Sequence, residues 1–291
     1  MARRPKVPSS RLPDFLVIGA SKAGTTSLAA YLAAHPQIFM ARRKEVRYFD
    51  TDGVWEQGEY GLAWYRTHFE GSEGYLRVGE ATPTYLSTRE GAARIKATLP
   101  DAKLIVMLRE PGARAYSHWC HAVAWKGDDR TFDEIVALPE PARDDEIYLW
   151  QSHYVPQLKS FFAEFPREQV HVLLIDDMKA DLTGSFADVC RFLGVGTDLP
   201  VKGLGDVHNA LHALRWVNLR WWMDKHARRM PRWLSYSLHR LNSKPISFPP
   251  MSAESRERLT AMFADEVAEL ETLIGRDLSA WKAPQTAQRS G

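Results

Sequence analysis

The chain has 291 residues, 45% of them hydrophobic, and 38 basic against 36 acidic side chains give a formal net charge of +2. That composition can bury a sizeable core and excludes a disordered or fibrous chain. The near-neutral balance gives no reason to expect nucleic acid as a partner, and two cysteines, Cys120 and Cys190, are too few for a disulfide scaffold. They read as buried apolar filler in a reducing compartment. No apolar stretch of signal-peptide length follows the basic start MARRPKVPSSRLP, and nowhere do about 18 mainly apolar residues run together. The expectation is a soluble, cytoplasmic chain.

The first element is the apolar, β-branched run FLVIGA (15–20), after which Leu28, Tyr31 and Leu32 follow at helical spacing until His35 and Pro36 stop the pattern. A second apolar run, AKLIVMLREP (102–111), breaks at proline and opens into a segment whose Ala115, Trp119, Ala122 and Val123 share a helical face. DEIYLWQSHYVPQLKSFFAEF (145–165) reads as a helix bent or begun at Pro156. VHVLLID (170–176) is a third strand, and Phe186, Val189, Cys190 and Leu193 then line a helix that Gly194 caps. AESRERLTAMFADEVAELETLIG (253–275) reads as one charged amphipathic helix ending at Gly275. Buried, non-alternating strands separated by helices predict an α/β chain, three layers with a central parallel sheet flanked by helices. The length suits a single domain with an N-terminal extension at 1–12, a variable helical region at 200–250 and a tail at 282–291.

The strand-to-helix turn carries the chemistry. In DFLVIGASKAGTTSLAAYL (14–32), Gly19 and Gly24 keep the glycine spacing of a Walker A phosphate loop, and Thr25 and Thr26 follow directly. The lysine has moved, however: Lys22 lies before Gly24 instead of after it. Such a turn aims backbone N–H groups and the positive helix end at an anion, with Thr25, Thr26 and Ser27 adding hydroxyl donors. Lys22 would reach across the turn to a group held at its mouth. The second strand ends in Arg109, where a magnesium-nucleotide enzyme would want a metal-holding aspartate. Arginine there can grip a phosphate bidentately, and Ser117 can approach the same anion if its helix begins beside it. Two separate anion sites emerge.

GASKAGTTSL (19–28), KEVRYFD (44–50), GEATPTYL (79–86) and LIVMLREPGARAYSHW (104–119) together resemble, in order, the motifs of sulfotransferases that use 3′-phosphoadenosine 5′-phosphosulfate. The resemblance is to the branch that contains the heparan sulfate sulfotransferases and many bacterial homologues. It implies a P-loop-like fold in which Lys22, Ala23, Gly24, Thr25, Thr26 and Ser27 surround the 5′-phosphosulfate and Arg109 and Ser117 bind the 3′-phosphate. Lys22 would offset charge on the bridging oxygen as the bond to sulfur breaks, and this reading requires no metal. Transfer to an alcohol also needs the hydroxyl proton removed, and the place of Glu45 in KEVRYFD matches that of the family's proposed glutamate base. Lys44 and Arg47 beside Glu45 favour its ionised form, whereas burial against Tyr48 and Phe49 would oppose it. Glu80, His118 and Tyr154 are candidates on the acceptor side, Glu80 either orienting the acceptor or pairing with Lys22 or Arg109.

Residues 215–241 hold four tryptophans and seven lysines or arginines against one acidic residue. They read as a lid, a sugar-binding surface, a peripheral membrane contact or an ordinary helix pair. The acceptor is a hydroxyl of a carbohydrate, a lipid or a small molecule. The alternatives are a nucleotide kinase or NTPase and a catalytically silent nucleotide- or membrane-binding protein.

Overall fold

The computed structural model describes residues 11–52, 61–206, 212–214 and 243–282. Residues 1–10 of the expected extension, the aromatic and basic segment 215–241, and the tail from 283 lie outside the described residues. The chain forms two compact units, Met1–Arg109 with His153–His208, and Glu110–Ser152 with Asn209–Gly291.

The first unit is built on five parallel strands, β1 Phe15–Gly19, β2 Ile38–Met40, β3 Arg77–Ala81, β4 Lys103–Leu108 and β5 Val170–Leu174, in the order β2-β3-β1-β4-β5. Every residue of β1 and all but the first of β4 are buried, as strands covered by helices on both faces must be. This is the expected α/β arrangement. β2 and β3 were not legible as strands: one has three residues, and the other, RVGEA, carries a glutamate in its buried part. Gly79 in β3 is where the Phe15 ring of β1 packs, and a Cβ there would sit 2.2 Å from the ring. Only glycine admits that aromatic contact.

The order places β1 at the centre. From its end the chain goes to β2 on one side, whereas β4 is followed in the sheet by β5 on the other, so the loops diverge at the carboxyl ends of β1 and β4. Parallel α/β sheets take their ligands at such a crevice. The β1–β4 register also shifts between Val17 and Gly19, turning the end of β1 into the loop that follows.

Two expected helices divide. The 145–165 segment gives Ile147–Trp150 and Tyr154–Glu164; Pro156 neither bends nor begins the second but sits in its first turn, where no N–H is missed. The 253–275 segment breaks at Phe263 into Ala253–Met262 and Ala264–Ile274. The break keeps Leu259, Phe263, Val267, Leu270 and Ile274 buried as one stripe, and Gly275 ends it in the left-handed conformation. Inside 200–250, read as helical, the described residues include a short antiparallel pair, β6 His212–Leu214 and β7 Ser243–Pro245. Cys120 and Cys190 are both buried and unbridged, as expected. No helix of the described residues is long and apolar enough to cross a membrane.

Candidate active site

The loop after β1 enters helix Thr25–Ala34 through Gly24, whose φ of 97° lies in the left-handed region. A Cβ at Gly24 would also approach Met107 and Ile175 to 3.1 and 3.2 Å, so conformation and space both call for glycine. The first backbone bonds into this helix run from Ser27 and Leu28 N–H to the Gly24 carbonyl. Among the described residues the N–H groups of Gly24, Thr25 and Thr26 have no backbone acceptor, and no side chain caps the helix. Donors, dipole and the hydroxyls of Thr26 and Ser27, both partly exposed, therefore gather at one point; Thr25 is buried. This turn fits an anionic phosphosulfate.

Lys22 has a φ of 69°, and its carbonyl accepts from Arg109 Nη1 at 3.3 Å. The arginine that follows β4 thus lies against the β1 loop. Tyr154, a candidate for the acceptor side, is fully buried and donates its hydroxyl to the Arg109 carbonyl at 2.9 Å. The phenol lies behind Arg109 and fixes the arginine's backbone.

Glu45 emerges from the loop after β2. Its N–H donates to the Ala81 carbonyl at 3.0 Å, at the carboxyl end of β3, and Thr82 N–H donates in turn to Val17 of β1. Its side chain is 44% exposed; Oε1 accepts from Lys44 Nζ at 2.8 Å, and Oε2 has no partner among the described residues. One carboxylate oxygen is therefore open to take a proton. Arg47 turns instead to Asp50, with Nε 3.0 Å from Oδ2, and Tyr48 and Phe49 are buried beside Tyr65 rather than against Glu45.

Lys22, Glu45 and Arg47 are the three non-glycine residues with positive φ among the described residues. Each such residue costs roughly 1–2 kcal/mol and persists where its surroundings over-determine it. All three stand at the carboxyl edge of the sheet, Lys22 beside Arg109 and the other two beside Ala81 and Thr82. No sequence signal carried this.

Glu80 also has its partners within the fold. It is completely buried on β3 and pairs with neither Lys22 nor Arg109. Oε1 accepts from the hydroxyls of Tyr65 and Tyr85 at 2.8 and 2.9 Å, and Oε2 from Thr82 Oγ1 at 2.8 Å. Burial pushes its carboxyl up to about 7 against the opposing pull of these hydroxyls, and Asp50 adds to the rise. Between the ordinary carboxyl value and about 7 the folded chain holds a proton that the unfolded chain has lost, so this group's contribution to stability falls as pH rises through that window. Replacing Glu80 with Gln should flatten the loss of stability between those values by on the order of a few kcal/mol, read by denaturant unfolding at several pH values. An unchanged slope would contradict the buried titration.

Ser117 and His118 belong to the second unit, on helix Pro111–Lys126. Glu110 caps that helix, accepting from Gly112 and Ala113 N–H at 2.7 and 2.5 Å. His118 stacks edge-on against Tyr148 at 5.0 Å, and Ser117 is half-buried. No group of three or more histidine, cysteine, aspartate or glutamate side chains among the described residues is arranged to hold a metal ion.

A parallel sheet whose central strand runs through a glycine turn into a helix N-terminus, with cations from the loop and the neighbouring strand, defines a P-loop-like α/β protein. The chain belongs to the sulfotransferase family: the family model described as the sulfotransferase domain matches residues 12–213. A crystal structure of a sulfotransferase from Alicyclobacillus acidocaldarius is 31% identical, with a TM-score of 0.69 over 94% of this chain and 100% of that one. Human heparan sulfate glucosamine 3-O-sulfotransferase 3B1 is 31% identical over 192 residues, 64% of this chain and 47% of its own. The membrane-associated sulfotransferase kil1 of Dictyostelium discoideum is 41% identical over 117 residues, 39% of this chain and 24% of its own. The chain spans less than half the length of these curated relatives.

Proposed function

We propose that the chain transfers a sulfuryl group from 3′-phosphoadenosine 5′-phosphosulfate to a hydroxyl of a carbohydrate by in-line displacement, without a metal. The observation that carries this reading is the Gly24 turn with Arg109 held against Lys22 at the carboxyl edge of the sheet. Lys22, Ala23, Gly24, Thr25, Thr26 and Ser27 hold the phosphosulfate end, and Arg109 the 3′-phosphate. Glu45 removes the acceptor's hydroxyl proton through Oε2 as the acceptor oxygen bonds to sulfur. Lys22 stabilises the negative charge that collects on the bridging phosphate oxygen as its bond to sulfur breaks. A glycan acceptor is supported by heparan sulfate glucosamine 3-O-sulfotransferase 3B1 and by a human heparan sulfate N-deacetylase/N-sulfotransferase, 26% identical over 288 residues. The test is transfer from sulfur-labelled donor, in EDTA, to heparan-type oligosaccharides, a phenol and a glycolipid. Label on the oligosaccharide is the expected result; label on the phenol alone would overturn the acceptor class.

A further inference from the structure

The Glu45 loop is clamped to the sheet by three backbone donors. Glu45 N–H goes to the Ala81 carbonyl at 3.0 Å, Arg47 N–H to Thr82 Oγ1 at 3.4 Å, and Tyr48 N–H to the Tyr85 hydroxyl at 2.9 Å. A carbonyl can only accept. A hydroxyl can rotate and present its proton instead, so two of the three clamps need something to fix their direction. Thr82 and Tyr85 each donate that proton to Glu80, at 2.8 and 2.9 Å, which leaves their lone pairs for the loop N–H groups. Once ionised, above about pH 7, the Glu80 carboxylate accepts and never donates, so in that form it imposes this direction on every hydroxyl around it. Tyr65 fills the remaining place and stacks on Tyr48 at 4.4 Å, joining the same loop by its ring.

We infer that Glu80 is a positioning residue for the sulfuryl-transfer step, holding the Glu45 loop in its strained conformation through the oriented hydroxyls of Thr82 and Tyr85. The inference rests on the reading of Glu45 as base. Two of the loop's residues, Glu45 and Arg47, have positive φ, and a chain carrying both settles elsewhere once its clamps weaken. The donor turn makes none of these contacts: Glu80 bonds to Tyr65, Thr82 and Tyr85, whereas Lys22 is touched by Arg109.

The test is the pair Tyr85→Phe and Glu80→Gln. Tyr85→Phe removes one clamp with a small change of volume; Glu80→Gln sets an amide donor where Thr82 or the tyrosines need an acceptor. The expected result is a fall in kcat on the order of 10- to 100-fold, as for a group displaced by a fraction of an ångström to an ångström. Affinity for 3′-phosphoadenosine 5′-phosphate, by calorimetry, should stay within about twofold because the donor turn is untouched. Hydrogen exchange over residues 44–50 should quicken in both variants. Wild-type kcat in both, or kcat and donor affinity falling together, would overturn the inference. If Glu45→Gln proves as active as wild type, the base assignment fails by itself, and unchanged exchange over 44–50 still sinks the role of Glu80.

Discussion

Glu45→Gln should lower kcat by about 10² to 10⁴-fold while leaving affinity for 3′-phosphoadenosine 5′-phosphate unchanged, the range expected when a positioned general base is lost. The substitution keeps the size of the side chain, and the loop is held by backbone donors at Glu45, Arg47 and Tyr48 that glutamine does not disturb. What disappears is a carboxylate, half-exposed, with one oxygen on Lys44 and the other open. Single-turnover measurements with labelled donor read the chemical step directly. A variant with wild-type kcat would remove Glu45 from the reaction and return the search for a base to groups such as His118.

Arg109→Ala has the second large effect, on binding. A charge-assisted contact from arginine to a phosphate contributes more than a neutral hydrogen bond, so affinity for the doubly phosphorylated nucleotide should fall by on the order of 10- to 100-fold. The carbonyl of Arg109, which accepts from Tyr154, is backbone and survives the substitution, so the end of β4 should keep its course. Adenosine 5′-phosphosulfate, which lacks the 3′-phosphate, should bind wild type and variant alike. Equal loss with both nucleotides would mean that the guanidinium acts through the Lys22 carbonyl and the shape of the turn, not on the 3′-phosphate.

The glycine turn between β1 and its helix was legible because its pattern is local. Gly24, Thr25, Thr26 and Lys22 lie within one turn, and Arg109 ends an apolar run that reads as a buried strand. The strands β1, β4 and β5 were equally plain, since strands covered on both faces leave unbroken apolar runs. β2 and β3 were hidden by their shortness and by Glu80, whose burial depends on three hydroxyls that the sequence scatters from Tyr65 to Tyr85. For the same reason the hydrogen-bond partners of Glu80 and Tyr154 were not legible. Their partners are fixed by tertiary folding, and periodicity does not encode them. The breaks at 151–153 and Phe263 escaped notice because the apolar spacing runs on across them.

The most direct test of the account is calorimetric titration of the wild-type chain with 3′-phosphoadenosine 5′-phosphate in the absence of magnesium. The Gly24 turn and Arg109 predict tight, metal-independent binding. No binding of this nucleotide, alongside binding of ATP that requires magnesium, would contradict it and make the turn a nucleoside triphosphate site.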